Sequence, residues 1–163
     1  MKSKNIFFKK KKSGMKVMIA SGLAIALTFI LFQGFMSQPA LAEDTVTVYK
    51  SPTCSCCRGW VSHLEANGFK VKAINTDDVV KHKKEAGLPQ KLYACHTAHI
   101  DGYVIEGHVP ASAIKRLLAE RPAVTGLAVP GMPTGSPGMG GKKVRYPVVT
   151  FDKSGKTTIF STH

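Results

Sequence analysis

The sequence predicts an α/β fold for residues 43–163, with helices that flank a mixed β-sheet. Short runs of alternating apolar and polar residues predict strands, and amphipathic segments between them predict helices. A further hairpin signal lies near the C-terminus. Because strands and helices alternate first and hairpins follow, we expect parallel and antiparallel strands in one sheet.

The first elements are a strand, a turn, a helix and a second strand. Residues 45–50 (TVTVYK) alternate as a short strand should. Residues 57–66 read as a helix, with Trp60 and Leu64 on its inner face. An Asn-Gly pair ends this helix, and residues 69–75 (FKVKAIN) alternate again as a strand.

A second helix and a hairpin come next. Thr76 or Asp77 is expected to cap a helix that runs to about Glu85, because Thr and Asp side chains accept hydrogen bonds from free helix amides. The Asp-Gly pair at residues 101–102 separates two short apolar runs and predicts a tight turn.

The C-terminal third predicts a helix, a long loop and a last hairpin. The segment ASAIKRLLAER follows a proline that can open a helix. Residues 126–143 have no helix or strand period and are rich in Gly, Pro and Met, which predicts a long and functional loop. A final hairpin is expected around Ser154-Gly155, as an addition to the mixed sheet.

The first 42 residues read as a secretory signal. Residues 1–16 hold seven lysines and no acid, residues 17–35 are almost wholly apolar, and an A-x-A site stands at residues 40–42. We expect cleavage after Ala42 and a periplasmic domain of residues 43–163. The alternative is an uncleaved inner-membrane anchor, with the domain on the periplasmic side. The apolar run is nearly long enough to span a bilayer.

The charge balance excludes one class of partner. The formal net charge is +13, but residues 43–163 keep sixteen of 23 basic residues and all ten acids, which leaves +6. No compact basic patch is interleaved with aromatic residues, so nucleic acid is not expected as a partner. Contact with a membrane is expected only through the signal segment, if it is uncleaved.

Three of the four cysteines fall within the segment SPTCSCCRGW. Cys54, Cys56 and Cys57 follow the first strand, and Cys95 stands alone downstream. An exported chain permits disulfides, and an even count is compatible with two of them. A structural set of disulfides would normally spread its cysteines to close loops. The clustering therefore indicates chemistry at this turn.

In the thioredoxin-like arrangement, a strand leads through a cysteine turn into the N-terminus of a helix, as is predicted here. The helix dipole and the free amides there favour thiolate. Thioredoxins carry a proline just before the third strand, facing the cysteine pair, but Cys95 and His96 stand near that position here. We therefore expect a thioredoxin-like fold with a different site.

Two kinds of chemistry fit the cysteine turn. Cys54 and Cys57 form a C-x-x-C pair, which is typical of dithiol redox sites. Cys56 inside the pair argues against a simple exchanger, because it could attack a mixed disulfide. Three thiolates at one helix N-terminus also repel one another unless a cation lies among them, and a soft cation would fit.

The histidines divide into candidates and surface residues. His96 follows Cys95, and His108 lies at the joint between a strand and a helix, so either can serve as a ligand or tune a thiolate. His99 is a weaker candidate because strand alternation can turn it away. His63 and His82 lie on predicted helices among charged residues and are expected to be surface residues or capped core residues.

The methionines of residues 43–163 favour one metal. Met132 and Met139 both lie in the Gly/Pro loop rather than in the predicted core, where methionine usually fills gaps. Thiolate, thioether and imidazole ligands together select Cu(I) over hard ions. Zinc stays possible through Cys and His, although its usual pairs of spaced cysteines are missing.

The sequence resembles the CopG-type periplasmic copper-resistance family. The resemblance rests on the CxCC turn, the block CHTAHIDGYVIEGHVP and the loop GLAVPGMPTGSPGM, in this order after a signal peptide. It implies a thioredoxin-like fold that holds copper as a thiolate-bound cluster and changes its oxidation state. Ser55 departs from the commonest family turn, which has Gly there. The resemblance marks as the thiolate set Cys54, Cys56, Cys57 and Cys95, and as further motif positions His96, His108, Met132 and Met139.

Three hypotheses follow for residues 43–163. The first is a periplasmic protein for copper tolerance that binds one or several Cu(I) ions and meets other copper-handling proteins, with the Met loop as a lid or outer ligand. The second is a thiol–disulfide oxidoreductase with Cys54 as nucleophile and Cys57 as resolving thiol. The third is a small domain stapled by two disulfides. The first two can be two states of one site.

Overall fold

The computed structural model describes residues 45–163, so the predicted signal segment lies outside the described residues. No helix within residues 45–163 combines the length and apolar character needed to cross a bilayer. The strands are β1 Val46–Lys50, β2 Val71–Asn75, β3 His96–Ile100, β4 Tyr103–Glu106, β5 Gly126–Ala128, β6 Pro147–Phe151 and β7 Thr157–Thr162, and the helices are α1 Ser55–Ala66, α2 Val79–Glu85 and α3 Ala111–Glu120, with a 3₁₀ turn at Gln90–Leu92.

All seven strands form one sheet in the order β2-β1-β3-β4-β5-β6-β7. The pairs β1–β2 and β4–β5 are parallel, and the other four pairs are antiparallel. The predicted α/β fold with a mixed sheet, flanking helices and a C-terminal hairpin is therefore confirmed. The architecture is thioredoxin-like.

The sheet is covered on both faces. Trp60 and Leu64 of α1 and Ile114 of α3 belong to one buried cluster with Ile105 of β4. Val104 belongs to a second cluster, which also includes Leu92 and Phe151 among its members. Since successive strand residues point to opposite faces, the two clusters lie on opposite sides of β4. The indole of Trp60 donates to the Val109 carbonyl at 2.8 Å, which fixes α1 against the chain leading to α3.

Two predicted helix boundaries were wrong. Helix α1 begins at Ser55 rather than at residue 57, because Cys54 is its N-cap and the Cys54 sulfur accepts a hydrogen bond from the Cys57 amide. Helix α2 is capped by Asp78 rather than by Thr76 or Asp77. The Asp78 carboxylate accepts from the Lys81 amide at 2.9 Å, and the Thr76 hydroxyl accepts instead from the Asp78 amide.

One strand was missed inside the long loop. Residues Gly126–Ala128 form β5, whereas the sequence predicted an irregular segment from residue 126 to residue 143. All three residues are buried between β4 and β6. A short strand buried on both faces does not alternate in polarity, so the pattern carried no strand signal.

Candidate metal centre

The cysteine turn connects β1 to α1. Cys54 caps the helix, and Cys56 and Cys57 lie in its first turn, where the free amides and the helix dipole favour negative charge. Cys54 and Cys57 are joined as a disulfide, while Cys56 and Cys95 are free. The turn therefore carries both a C-x-x-C disulfide and a separate free thiol.

The sheet register brings Cys95 to this turn. Strand β3 runs antiparallel to β1, and His96 at the start of β3 pairs with Lys50 at the end of β1. Cys95 precedes β3 directly, where thioredoxins carry proline, and its Sγ lies 4.0 Å from Sγ of Cys56. Sγ of Cys56 in turn lies 3.4 Å from Sγ of Cys54. The four sulfur atoms all lie within 4.8 Å of one another.

The surroundings keep Cys95 protonated in this disulfide form. Burial and, after it, the neighbouring Cys56 together raise the pKa of Cys95 to about 12, against smaller lowering effects of a backbone hydrogen bond and of Lys83. A thiolate at this position lacks solvation and faces another sulfur. A cation among the sulfurs would remove both penalties, and it would displace the Cys95 proton.

His108 presents a lone pair to Cys95. Its Nδ1 lies 2.6 Å from the Pro137 carbonyl oxygen, which can only accept, so Nδ1 carries the proton. The other ring nitrogen, Nε2, lies 3.0 Å from Sγ of Cys95. Burial lowers the pKa of His108, against an opposing effect of the Pro137 carbonyl, which favours the neutral, metal-binding form of the ring.

His96 is fully buried beside the same thiol. Its Nδ1 lies 3.3 Å from Sγ of Cys95, and its ring stacks at a tilt on Trp60, with 4.3 Å between centroids. Burial lowers the pKa of His96 well below its usual value, and His108 and Lys83 add to the effect, while the backbone of Gly107 opposes it. Nε2 of His96 is buried without a hydrogen-bond partner of good geometry. Such an orphaned atom is costly and calls for a water or an ion.

The Gly/Pro loop lies against the cysteine turn through Gly138. Its backbone has φ +85°, and a Cβ added there would lie 2.5 Å from the Cys56 carbonyl oxygen and 2.6 Å from the Trp60 amide nitrogen. Only glycine allows this approach. Met139 follows directly and is half-buried, whereas Met132 lies on an outer part of the loop and is 42% exposed. The structure thus places Met139 nearer to the contact with α1.

Three more histidines, His63, His82 and His99, take different positions. His82 stacks on Tyr49 with 3.8 Å between ring centroids, and His99 meets Tyr49 edge-on at 6.0 Å. Since Tyr49 and Val48 are neighbours in β1 and Val48 packs with Trp60, this group lies on the face away from α1. His63 has a role that the sequence did not reveal, because its Nε2 accepts the Ala111 amide at the start of α3.

Sequence reasoning also missed a buried ion pair beside Cys95. Lys83 and Glu106 are 3% and 0% exposed, and Nζ of Lys83 lies 2.6 Å from Oε1 of Glu106. The only signal in the sequence was an acidic residue at the end of an apolar run. The pairing cannot be assigned from one sequence, because the two residues lie 23 positions apart along the chain.

The arrangement suits a soft cation. One group of possible ligands is Cys54, Cys56, Cys57 and Cys95, and a second is Cys95, His96 and His108, so the two groups share one thiol. Neither of these described groups contains a carboxylate, which hard cations prefer. Thiolates and neutral imidazoles favour Cu(I) or Zn(II), and Nδ1 of His96, which lies 3.3 Å from Sγ of Cys95, is the ring nitrogen placed to bind the same ion.

The chain is similar to one protein-family model and to two solved structures. A protein-family model described as a protein of unknown function, DUF411, matches residues 92–139. No curated protein matched the chain. Two solved structures of a copper resistance protein named CopG, form 1 and form 2, are each 43% identical to this chain. Form 1 aligns over 73% of this chain and 96% of its own with a TM-score of 0.68, and form 2 over 74% and 98% with 0.69.

The two matches extend over almost the whole length of these relatives. An identity of 43% over 96% of a relative's length is far above what a shared fold alone requires. The chain therefore belongs to the CopG copper-resistance family.

Proposed function

We propose that the protein binds Cu(I) through Cys54, Cys56, Cys57 and Cys95, and that this binding serves copper tolerance. The observation that carries the proposal is the convergence of four sulfur atoms within 4.8 Å, one of them from outside the turn. Copper resistance in the names of the related structures supports the same metal. Silver would satisfy the same soft ligands.

The ligand types explain why Cu(I) is preferred. Clustered thiolates repel one another, and a soft cation bound to several of them removes the repulsion. Bridging sulfur would let such a site hold several ions. His96 and His108 can complete the coordination from the side of Cys95, and Met139 or Met132 can add a thioether from the loop. A change of copper oxidation state would use the same ligands.

The disulfide links metal binding to redox state. With Cys54 and Cys57 oxidised, two of the four sulfurs cannot bind as thiolates. Reduction takes two electrons and two protons and yields two thiols, which release protons when a metal binds. We therefore describe the disulfide form as the metal-free state and the reduced form as the state that binds copper.

The disulfide form should contain two free thiols. Titration of the denatured protein with a chromogenic thiol reagent should give two equivalents before reduction, from Cys56 and Cys95, and four after it. Four equivalents in the protein as isolated would show that no disulfide forms under those conditions. Fewer than two would show that Cys56 and Cys95 are also oxidised.

The Cu(I) affinity should depend on the Cys54–Cys57 disulfide. Competition with a Cu(I) chelator under anaerobic conditions should show binding at least about 100-fold weaker for the disulfide form, because two ligands are lost and even outer-shell partners are worth about 10- to 100-fold. The matched control is the reduced double variant Cys54→Ser/Cys57→Ser, which should bind as weakly as the disulfide form. Equal affinities in reduced and oxidised wild type would contradict the proposal.

A thiol–disulfide oxidoreductase is the second candidate. The disulfide at the N-terminus of α1 favours it, because such a position stabilises the thiolate of an attacking cysteine. A simple exchanger needs only Cys54 and Cys57, so exchange with a disulfide substrate should survive Cys56→Ser and Cys95→Ser. Copper binding should not survive them. The same two variants therefore separate the two functions.

The structural hypothesis has weaker support. A disulfide between residues 54 and 57 closes a very short loop, and the loop-entropy estimate gives only about 2 kcal/mol of stabilisation. The reduced form should therefore remain folded. A purely structural role would also leave unexplained why two free thiols, Cys56 and Cys95, converge beside this disulfide.

We place this function in the periplasm, with other copper-handling proteins there as partners. The basic, apolar and small-residue segments of residues 1–42 support export and cleavage after Ala42. The residues that follow would then form the thioredoxin-like metal-binding domain. Mass spectrometry of the exported protein should give a chain that starts at residue 43, and an intact N-terminus would indicate the anchored form instead.

A further inference from the structure

We infer that Glu106 is a positioning residue for the copper site. Its side chain fixes the backbone at Ala94 and thereby the position of Cys95. The inference rests on the proposed Cu(I) function for its role, but its geometric part can be tested without copper. Glu106 does not touch the ligand atoms. It acts through the residue that precedes Cys95.

The Glu106 carboxylate is fully buried and hydrogen-bonded at both oxygens. Oε1 accepts from Nζ of Lys83 at 2.6 Å, and Oε2 accepts from the Thr97 hydroxyl at 2.6 Å. Nζ of Lys83 also donates to that hydroxyl at 2.9 Å. The carboxylate is therefore held in one orientation by two elements, α2 and β3.

The same carboxylate binds the chain just before Cys95. Oε1 of Glu106 accepts the Ala94 amide at 2.5 Å. Ala94 lies between the 3₁₀ turn and β3, so its amide has no strand partner in the described part of the chain. Gly107 restricts Ala94 from a second side, since a Cβ on Gly107 would lie 2.9 Å from the Ala94 Cβ. Ala94 is thus fixed by the residues that lead directly to His108.

A buried ion pair is an expensive way to obtain stability alone. The cost of removing two charges from water often exceeds their attraction, and apolar replacements of similar volume are frequently as stable. The pair Lys83–Glu106 therefore needs another explanation. Glu106 lies two residues before His108 and binds the residue before Cys95, so one side chain sets the spacing of a thiol and an imidazole that lie 3.0 Å apart.

Two matched double variants test the inference. Lys83→Met/Glu106→Leu removes both charges and every acceptor, whereas Lys83→Met/Glu106→Gln removes the charges but keeps an oxygen that can accept from Ala94. We expect the Leu variant to bind Cu(I) about 10- to 100-fold more weakly than wild type, as is typical when an outer-shell partner is lost. The Gln variant should stay within about threefold of wild type.

Two further readouts do not depend on copper. The amide proton of Ala94 should resonate far downfield in wild type and in the Gln variant, and move upfield in the Leu variant. In a Cys56→Ser background with the disulfide intact, Cys95 is the one free thiol, and its alkylation should be several-fold faster in the Leu variant than in the Gln variant. Urea denaturation of each variant reports stability separately.

The control is Tyr103→Phe, which removes a partly buried hydrogen bond to the Pro122 carbonyl at the other end of β4. It should change neither the Ala94 shift nor the Cu(I) affinity. Equal Ala94 shifts and equal Cys95 alkylation rates in the Leu and Gln variants would overturn the inference. If wild type fails to retain Cu(I) while these two readouts still differ as expected, the proposed function fails and the positioning of Cys95 by Glu106 stands.

Discussion

Replacing Cys95 with Ser should lower the Cu(I) affinity of the reduced protein by more than about 100-fold. Cys95 belongs to both groups of possible ligands and is the sulfur that the sheet brings to the turn from outside it. Loss of an outer-shell partner alone costs about 10- to 100-fold, so loss of this ligand should cost more. Chelator competition under anaerobic conditions measures the change.

Formation of the Cys54–Cys57 disulfide and stability of the disulfide form are the controls for Cys95→Ser. The Cys54–Cys57 disulfide should still form in this variant, and the free energy of unfolding of the disulfide form should change by less than about 1 kcal/mol, because a serine replaces a half-buried thiol of similar size. Cys56→Ser should show a similar loss of Cu(I) affinity. An affinity in Cys95→Ser within threefold of wild type would contradict a four-thiolate site.

Substituting Gly138 with Ala should destabilise the protein by at least about 2 kcal/mol. The left-handed backbone alone costs a non-glycine residue about 1–2 kcal/mol, and the new methyl group would meet backbone atoms of Cys56 and Trp60. Because Pro137 accepts the hydrogen bond from His108, displacement of the loop should also free that imidazole. Urea denaturation of the disulfide form measures the loss of stability.

Gly140→Ala is the matched control for Gly138→Ala. Gly140 lies in the same loop with φ +64°, but a Cβ there meets no atom within 4 Å. It should cost only the conformational strain of about 1–2 kcal/mol and leave the Cu(I) affinity unchanged. If the two variants were equally stable and bound copper equally well, the contact between the loop and the cysteine turn would contribute neither to stability nor to copper binding.

The sequence predicted those elements whose signals are local. The Asp-Gly pair at residues 101–102 marked the β3–β4 hairpin, because a turn of this kind needs positive φ at both residues, and both have it. Strand β5 was not predicted because its residues are buried on both faces and do not alternate in polarity. The start of α1 was placed too late because a cysteine, rather than Ser, Thr, Asp or Asn, caps it.

The candidate site was predictable as a set of residue types but not as a geometry. The clustered cysteines and the CHTAHIDGYVIEGHVP block pointed to the right segments, while the β1–β3 register that joins them depends on the whole sheet. The roles of Glu106 and His63 depend on contacts with residues 12 and 48 positions away along the chain. Alternation in β3 also separates His99 from His96, which the sequence could not decide without a known face.

The most direct measurement is the copper content of residues 43–163, reduced, loaded with Cu(I) under anaerobic conditions and then challenged with a competing chelator. We predict at least one copper ion retained per chain, with the Cu(I)–thiolate absorption in the ultraviolet, and loss of both in Cys56→Ser and Cys95→Ser. No retained copper, together with rapid exchange with a disulfide substrate that survives both substitutions, would contradict the account and leave a thiol–disulfide oxidoreductase.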